Sequence, residues 1–186
     1  MDTGVVVAII ILVVIAVLLA VFVGRRRRTD QLQEQFGPEY QRTVARTGDQ
    51  RAAESQLAER QQRRRELDIV GLDRAARTRY LEAWRATQNK FVDDPAGATG
   101  EADALVARVM RDRGYPVDDF DQRAADVSVD HPRVAENYRA AHAVSLANEK
   151  GLASTDDLRQ AFVHYRSLFA ELLDVGDDGQ REEARR

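Results

Sequence analysis

The chain has 186 residues and a formal net charge of −3, from 28 Lys and Arg against 31 Asp and Glu. It has no cysteine and three histidines, which excludes a disulfide scaffold, a cysteine-ligated zinc site and a thiol nucleophile, and leaves little for a histidine-rich metal centre. Arginine outnumbers lysine 26 to 2, a skew that, with abundant alanine, points to a GC-rich genome more than to nucleic-acid binding.

Asp2 is the only charge in the first 24 residues, and Val5 to Val23 is an unbroken run of 19 apolar residues. As a helix that run is about 28 Å long, close to a hydrocarbon core, and in lipid a single span satisfies its backbone only as a helix. It does not read as a cleaved signal peptide. The leading Met-Asp-Thr-Gly has no basic residue, the run is too long, and no small-x-small site follows it. Arg25, Arg26, Arg27 and Arg28 come next. The positive-inside rule places them in the cytoplasm and the short N-terminus outside, and they are candidate contacts for the membrane surface.

Residues 25–67 carry a net charge of +4 and residues 68–186 a net charge of −6. The expected layout is a transmembrane anchor over 1–24, a basic helical stalk over 25–67, a helical bundle over 68–175 and a flexible tail over 176–186. In the stalk, Thr29 or Asp30 caps a short helix through Phe36. Gly37-Pro38 interrupts it, and Pro38 opens the next helix with Glu39 in its first turn. Thr47-Gly48-Asp49 is a second break with Asp49 as N-cap. Arg51 to Leu67 is then a strongly charged helix. Ala53, Leu57 and Leu67 are apolar, but Arg60 and Arg64 occupy places a coiled coil fills with apolar residues, so the stalk offers only a weak homodimer seam.

Helical periodicity continues through the bundle. Arg74 to Val92 sets Tyr80, Leu81, Trp84, Gln88, Phe91 and Val92 along one face. Glu101 to Arg113 has a stripe of Ala102, Leu105, Val106, Val109 and Met110, closed by Gly114. Asp118 to Val127 is a short helix. Asp130 caps a helix that enters through His131-Pro132 and runs to Lys150, and Gly151 stops it. Ser154 or Thr155 caps the last helix, whose stripe from Leu158 to Leu173 is the strongest in the chain. The expected fold class is all-α: a transmembrane helix, a charged stalk and a compact bundle of about four main helices.

Candidate chemistry is sparse. His142 shares a helix face with Tyr138, Ala141 and Ser145, the arrangement of either a general base or a core histidine with one hydrogen bond. No histidines are spaced i, i+4, and Asp93-Asp94, Asp118-Asp119 with Asp121, and Asp177-Asp178 do not match a calcium loop. Arg60, Arg63, Arg64 and Arg65 form the densest basic patch after the membrane boundary. No base-reading element or aromatic platform accompanies them, so nucleic acid is not an expected partner. There is no P-loop, Gly-x-Gly-x-x-Gly or Gly-x-Ser-x-Gly. The residues therefore assign no catalytic, cofactor or metal site and no enzymatic activity. They favour a membrane-anchored scaffold or adaptor whose unidentified protein partner sits on a groove lined by Tyr80, Trp84 and Tyr115. A ligand-binding or enzymatic domain around His142, and a nucleic-acid regulator acting through Arg60 to Arg65, are the alternatives.

Several strings occur in order: Phe36-Gly-Pro-Glu-Tyr40, Trp84-Arg-Ala-Thr-Gln88, Phe91-Val-Asp-Asp-Pro95, Arg113-Gly-Tyr-Pro116, and Ser128-Val-Asp-His-Pro132 leading to Tyr138-Arg139. Together they resemble a family of uncharacterised bacterial single-span membrane proteins with an N-terminal anchor and an Arg-rich all-helical domain. The resemblance implies a single-pass protein of the bacterial inner membrane. It implies no reaction, ligand or catalytic residue.

Overall fold

Caps and helix breakers set the boundaries of the elements. The computed structural model describes the backbone of residues 3–183 and the side chains of residues 12–173, apart from Val14 and Val21. The described residues are all-helical: α1 Thr3–Phe36, α2 Pro38–Thr47, α3 Gln50–Glu66, α4 Arg74–Asp93, α5 Pro95–Asp112, α6 Phe120–Asp130, α7 Pro132–Glu149 and α8 Thr155–Glu183.

The first break comes later than the sequence predicts. α1 runs from the apolar stretch through Arg25–Arg28 to Phe36, with no separate helix capped at Thr29 or Asp30. A lone Gly24 costs a helix only about 1 kcal/mol, too little to end it. Gly37 does end it, at φ 47°, and Pro38 opens α2. The Asp49 carboxylate then caps α3 by accepting from Ala52 N at 2.8 Å.

Two other starts differ from expectation. α5 begins at Pro95 rather than Glu101, because Asp94 caps it by accepting from Gly97 N at 2.8 Å. A Cβ on Gly97 would sit 2.1 Å from Asp94 Oδ2, so this glycine makes room for the cap. α7 starts at Pro132 with His131 at its N-cap and no side-chain capping bond. Asp130 does not cap it. Its Oδ2 accepts instead from Tyr115 Oη at 2.6 Å and Arg64 Nε at 2.5 Å. α6 is capped by Asp119 and runs on to Asp130. Ser154 and Asp157 cap α8 reciprocally, Asp157 N donating to Ser154 Oγ at 3.2 Å and Ser154 N to Asp157 Oδ2 at 2.9 Å. The α8 backbone continues past Gly176 to Glu183. Side chains of the expected tail over 176–186 lie outside the described residues.

α4, α5, α7 and α8 enclose the main core as a helical bundle. Leu105, Val106, Val109 and Met110 of α5 meet Tyr165, Leu168 and Leu172 of α8 there, all buried. The Trp84 ring lies 5.1 Å from Phe162 and 4.7 Å from Phe169, centroid to centroid. At the end of α5, Gly114 takes φ 93°, and a Cβ there would lie 2.3 Å from the Asp68 carbonyl oxygen. That close approach lets Val70 N donate to Arg113 O at 2.9 Å, and the buried Arg113 side chain donates to the Leu172 carbonyl at 2.7 Å.

A second, smaller cluster joins Leu32 and Phe36 of α1, Tyr40 of α2, Leu57 of α3 and Val129 of α6. Residues 25–67 thus fold against α6 and α7. Among the described residues, no helix is long and apolar enough to cross a membrane. Much of the expected anchor, the side chains of residues 5–11, 14 and 21, lies outside the described residues.

Candidate functional site

Side-chain exposure separates the candidate residues. Along α1, Leu12, Val13, Ile15, Val17, Leu18, Leu19, Phe22 and Val23 are all exposed, with Leu12 at 66%, Leu18 at 63% and Phe22 at 62%. At about 100° of rotation per residue these positions cover every face of the helix. Arg25, Arg26, Arg27 and Arg28 follow and are exposed as well. Among the described side chains of α1, Leu32 is the first buried one, 3% exposed.

The aromatic residues expected to line one groove are not brought together. Trp84 lies in the stacked aromatic core and reaches the surface only as the floor of a cleft of about 380 Å³ between α4 and α8, beside Leu81, Gln88, Arg166 and Phe169. Arg77 closes one end of that cleft and donates to the Leu173 carbonyl. Tyr80 lines a different cleft with Arg79, Leu105, Arg108 and Asp112. Its hydroxyl donates to Asp112 Oδ2 at 2.6 Å, and burial, with that bond, pushes its phenol up to about 12. Tyr115 is 2% exposed, and its hydroxyl is committed to Asp130. The guanidinium groups of Arg64 and Arg113 flank its ring, 5.9 and 5.8 Å from the centroid. Burial first, then Asp130, raises its phenol, which stays protonated and donating. Tyr115 ties α3 to α6.

The basic patch on α3 is divided: Arg60 is buried, Arg64 half-buried, and Arg63 and Arg65 exposed. Arg60 is buried and donates to Glu39 Oε2 and Ser128 Oγ, both at 3.3 Å. Arg139 of α7 donates to the other oxygen of Glu39, so one fully buried carboxylate links α2, α3 and α7. Arg63 reaches Gln122, and Arg64 holds Asp130. Arg65 is exposed. A phosphate-reading face needs free guanidinium groups in a row, and this helix spends two of them internally.

Around His142 the structure builds a polar cluster that the sequence reading located only in part. The imidazole stacks on Phe120, centroids 3.6 Å apart and planes 11° from parallel. Its Nδ1 is 3.9 Å from Asp103 Oδ1 on α5, beyond hydrogen-bond reach. Arg123 lies against the rings of Phe120 and Tyr138. Asp103 Oδ1, His142 Nδ1, Tyr138 Oη and Arg123 Nε are buried without a hydrogen-bond partner among the described residues. Ser145 Oγ and Tyr165 Oη pair at 2.8 Å, which ties up the one nearby hydroxyl of nucleophile type. Burial raises both the Tyr138 and Tyr165 phenols, so neither serves as a base near neutral pH. His142 therefore has an acidic neighbour but no activated nucleophile, and the clefts at Trp84 and Tyr80 are lined by other residues. No group of His, Asp and Glu among the described residues is arranged to hold a metal ion.

Two further ionisable groups are buried: Asp126, which gave no signal in the sequence, and His131, expected only as part of a helix start. Asp126 is fully buried, accepts from Gln122 Nε2 at 2.7 Å, and has its carboxyl raised by burial. His131 is 5% exposed with Nδ1 3.2 Å from Glu171 Oε2, and burial lowers its imidazole despite that carboxylate. Glu39, Asp103 and Arg139 also gave no local signal, because their partners lie far away in the chain. No family model matches the chain, no curated protein matches it, and no solved structure matches it.

Proposed function

We propose that the chain is a membrane-anchored helical interaction module, with α1 in the bilayer and α2 to α8 held at the cytoplasmic surface of the inner membrane. The exposure of α1 carries this reading: every described apolar side chain from Leu12 to Val23 is uncovered, on all faces of the helix. A helix that is apolar all round needs an apolar surrounding. One partner helix covers a stripe, whereas lipid covers the whole circumference. The 19-residue run from Val5 to Val23 has the length of a hydrocarbon core, and Arg25–Arg28 mark its cytoplasmic end.

The interaction role rests on the cleft between α4 and α8. Leu81 is 40% exposed beside the Trp84 and Phe169 floor, and Arg166 stands at the rim. An apolar floor with a cationic rim suits a short helix or loop that presents an apolar anchor beside a carboxylate. A catalytic reading at His142 has no nucleophile paired with it among the described residues, and a nucleic-acid reading at Arg60–Arg65 keeps Arg63 and Arg65 at the surface but loses Arg60 to Glu39 and Arg64 to Asp130.

Membrane extraction and labelling of the full chain test the proposal. The chain has no native cysteine, so Gln160→Cys on the exposed face of α8 is a clean reporter. The expected result is retention in membranes at alkaline carbonate, with an impermeant maleimide labelling Gln160→Cys only after lysis. Complete release into the carbonate supernatant overturns the anchor. Labelling in intact cells overturns the orientation.

A further inference from the structure

We propose that the turn between α2 and α3 is a second membrane contact, in which Arg46 and Arg51 bind the anionic headgroups of the bilayer that holds α1. The inference rests on α1 being the membrane anchor and adds where the folded part meets the surface.

The argument is one of register. Thr29 Oγ1 on α1 donates to Glu54 Oε1 on α3 at 2.8 Å, across a sequence separation of 25. Further along, Gln61 of α3 donates to Gln35 of α1 across a separation of 26. A near-constant offset means that α1 and α3 run parallel. Each α3 residue therefore sits level with the α1 residue about 25 positions earlier. On that ruler Gln50, where α3 starts, lies level with Arg25, and Arg51 lies level with Arg26. α2 runs antiparallel to α3, since Glu39 meets Arg60 and Arg46 meets Gln56 at 2.8 Å. Its last turn, at Arg46 and Thr47, comes back toward that level: on the same ruler these two pairs set Arg46 between Arg28 and Gln31, about one to two turns further from the apolar run than Arg25.

That level is the headgroup layer. Val23 ends the apolar run two positions before Arg25, about 3 Å of helical rise. The polar layer on each side of a hydrocarbon core is about 5–8 Å deep. The start of α3, at Gln50 and Arg51, falls inside it without any change of structure.

The charges point the right way. Arg46 and Arg51 are exposed, as are Arg25–Arg28, and Arg51 is level with Arg26. The carboxylates nearby keep their charge and accept hydrogen bonds from neutral groups within the protein. Asp49 caps Ala52 N, and Glu54 accepts from Thr29, Tyr40 and Gln50. Asp30 is exposed but lies about one turn further from the apolar run. Six arginines, Arg25–Arg28, Arg46 and Arg51, stand against the three carboxylates of Asp30, Asp49 and Glu54, so the membrane-facing end of the α1–α3 unit carries a net positive charge. Basic side chains at this depth are drawn to anionic lipid and screened by salt.

The test uses the full chain in two kinds of vesicle, phosphatidylcholine alone and an equal mixture with phosphatidylglycerol. Ala45→Cys, exposed on α2, carries an environment-sensitive dye, and nitroxide-labelled headgroups quench it. The expected result is stronger quenching in the mixed vesicles, lost at high salt and lost in Arg46→Gln/Arg51→Gln, with flotation and helix content unchanged. Equal quenching in both vesicles overturns the contact, and so does quenching that survives the double substitution. Where the chain floats with vesicles but shows no lipid dependence, only this inference fails. Where it does not float at all, the anchor fails and the contact with it.

Discussion

The core between α4, α5, α7 and α8 is closed by aliphatic and aromatic side chains, whereas the cluster beneath α1, α2 and α3 is closed by few apolar residues and a buried carboxylate between two arginines. In the first, each helix contributes a stripe, and burial of apolar surface supplies the driving force at about 25 cal/mol per Å². In the second, α3 contributes Ala53, Leu57 and Arg60 as its buried residues. A helix this polar has too little to bury, so its place is fixed by directional contacts: Glu39 to Arg60, Arg64 to Asp130, Thr29 to Glu54. Buried ion pairs add little net stability over apolar packing, but they punish a wrong register, because any slip strands a charge. The apolar core makes the bundle stable, and the charged cluster makes the docking of α2 and α3 specific.

That division can be broken from either side. Leu168→Ala opens a cavity in the main core and is expected to cost about 4 kcal/mol. Thermal unfolding of the full chain in detergent, followed by circular dichroism, should show the transition of the α4, α5, α7 and α8 bundle moved down as a whole. A loss confined to one helix would mean that the bundle does not unfold as a unit. Glu39→Gln leaves Arg60 and Arg139 without a counter-charge and is expected to cost about 3 kcal/mol. Hydrogen exchange should show that loss in α2 and α3, with α5 and α8 still protected. Equal deprotection of α5 would show that the two clusters are one cooperative body.

The smallest effect is one of pH. Burial lowers the His131 imidazole, with Glu171 and Asp130 opposing the shift and Arg113 adding to it. The unfolded chain therefore binds this proton more readily than the folded one. Stability is full above the ordinary value of 6.5 and falls as the pH drops below it. Asp126 acts in the opposite sense. Its raised carboxyl favours the protonated folded form, so it costs stability as the pH climbs from 3.8 toward the folded value. His131→Gln should flatten the decline in melting temperature between neutral pH and pH 5. An unchanged slope would assign that decline to other groups.

The same contrast explains what could be read from the sequence. The stripes of α5 and α8, the breaks at Gly37, Gly48, Gly114 and Gly151, and the caps at Asp49 and Ser154 are local, and each was legible in a window of a few residues, whereas the face expected on α4 leaves Leu81, Gln88 and Val92 exposed. The start of α5 was hidden by Gly97 and Gly100, which lower helix propensity even though the Asp94 cap and Pro95 were in plain view. Asp130 looked like a cap because capping is what an Asp before a helix usually does. Its actual partners, Arg64 and Tyr115, are distant in sequence and left no periodic trace. Glu39 was read as a first-turn helix charge for the same reason. Tyr115 and Trp84 were legible as aromatic residues on a helical framework, but their depth was set by packing partners that a single sequence does not reveal.

On the proposed anchoring of α1 in a bilayer, the uninterrupted helix from the apolar run to Phe36 would work as a rigid shaft rather than a tether. A flexible linker would let the folded part turn freely above the membrane. Here one residue inserted at Gly24 would act as a screw thread, lifting α2 to α8 by about 1.5 Å and turning them by about 100°. A full turn's worth of inserted residues would nearly restore the azimuth while moving everything outward. Whatever the α4–α8 cleft engages would then be sought at a set compass bearing and a set height, so its accessible neighbours are chosen by geometry before any side chain makes contact.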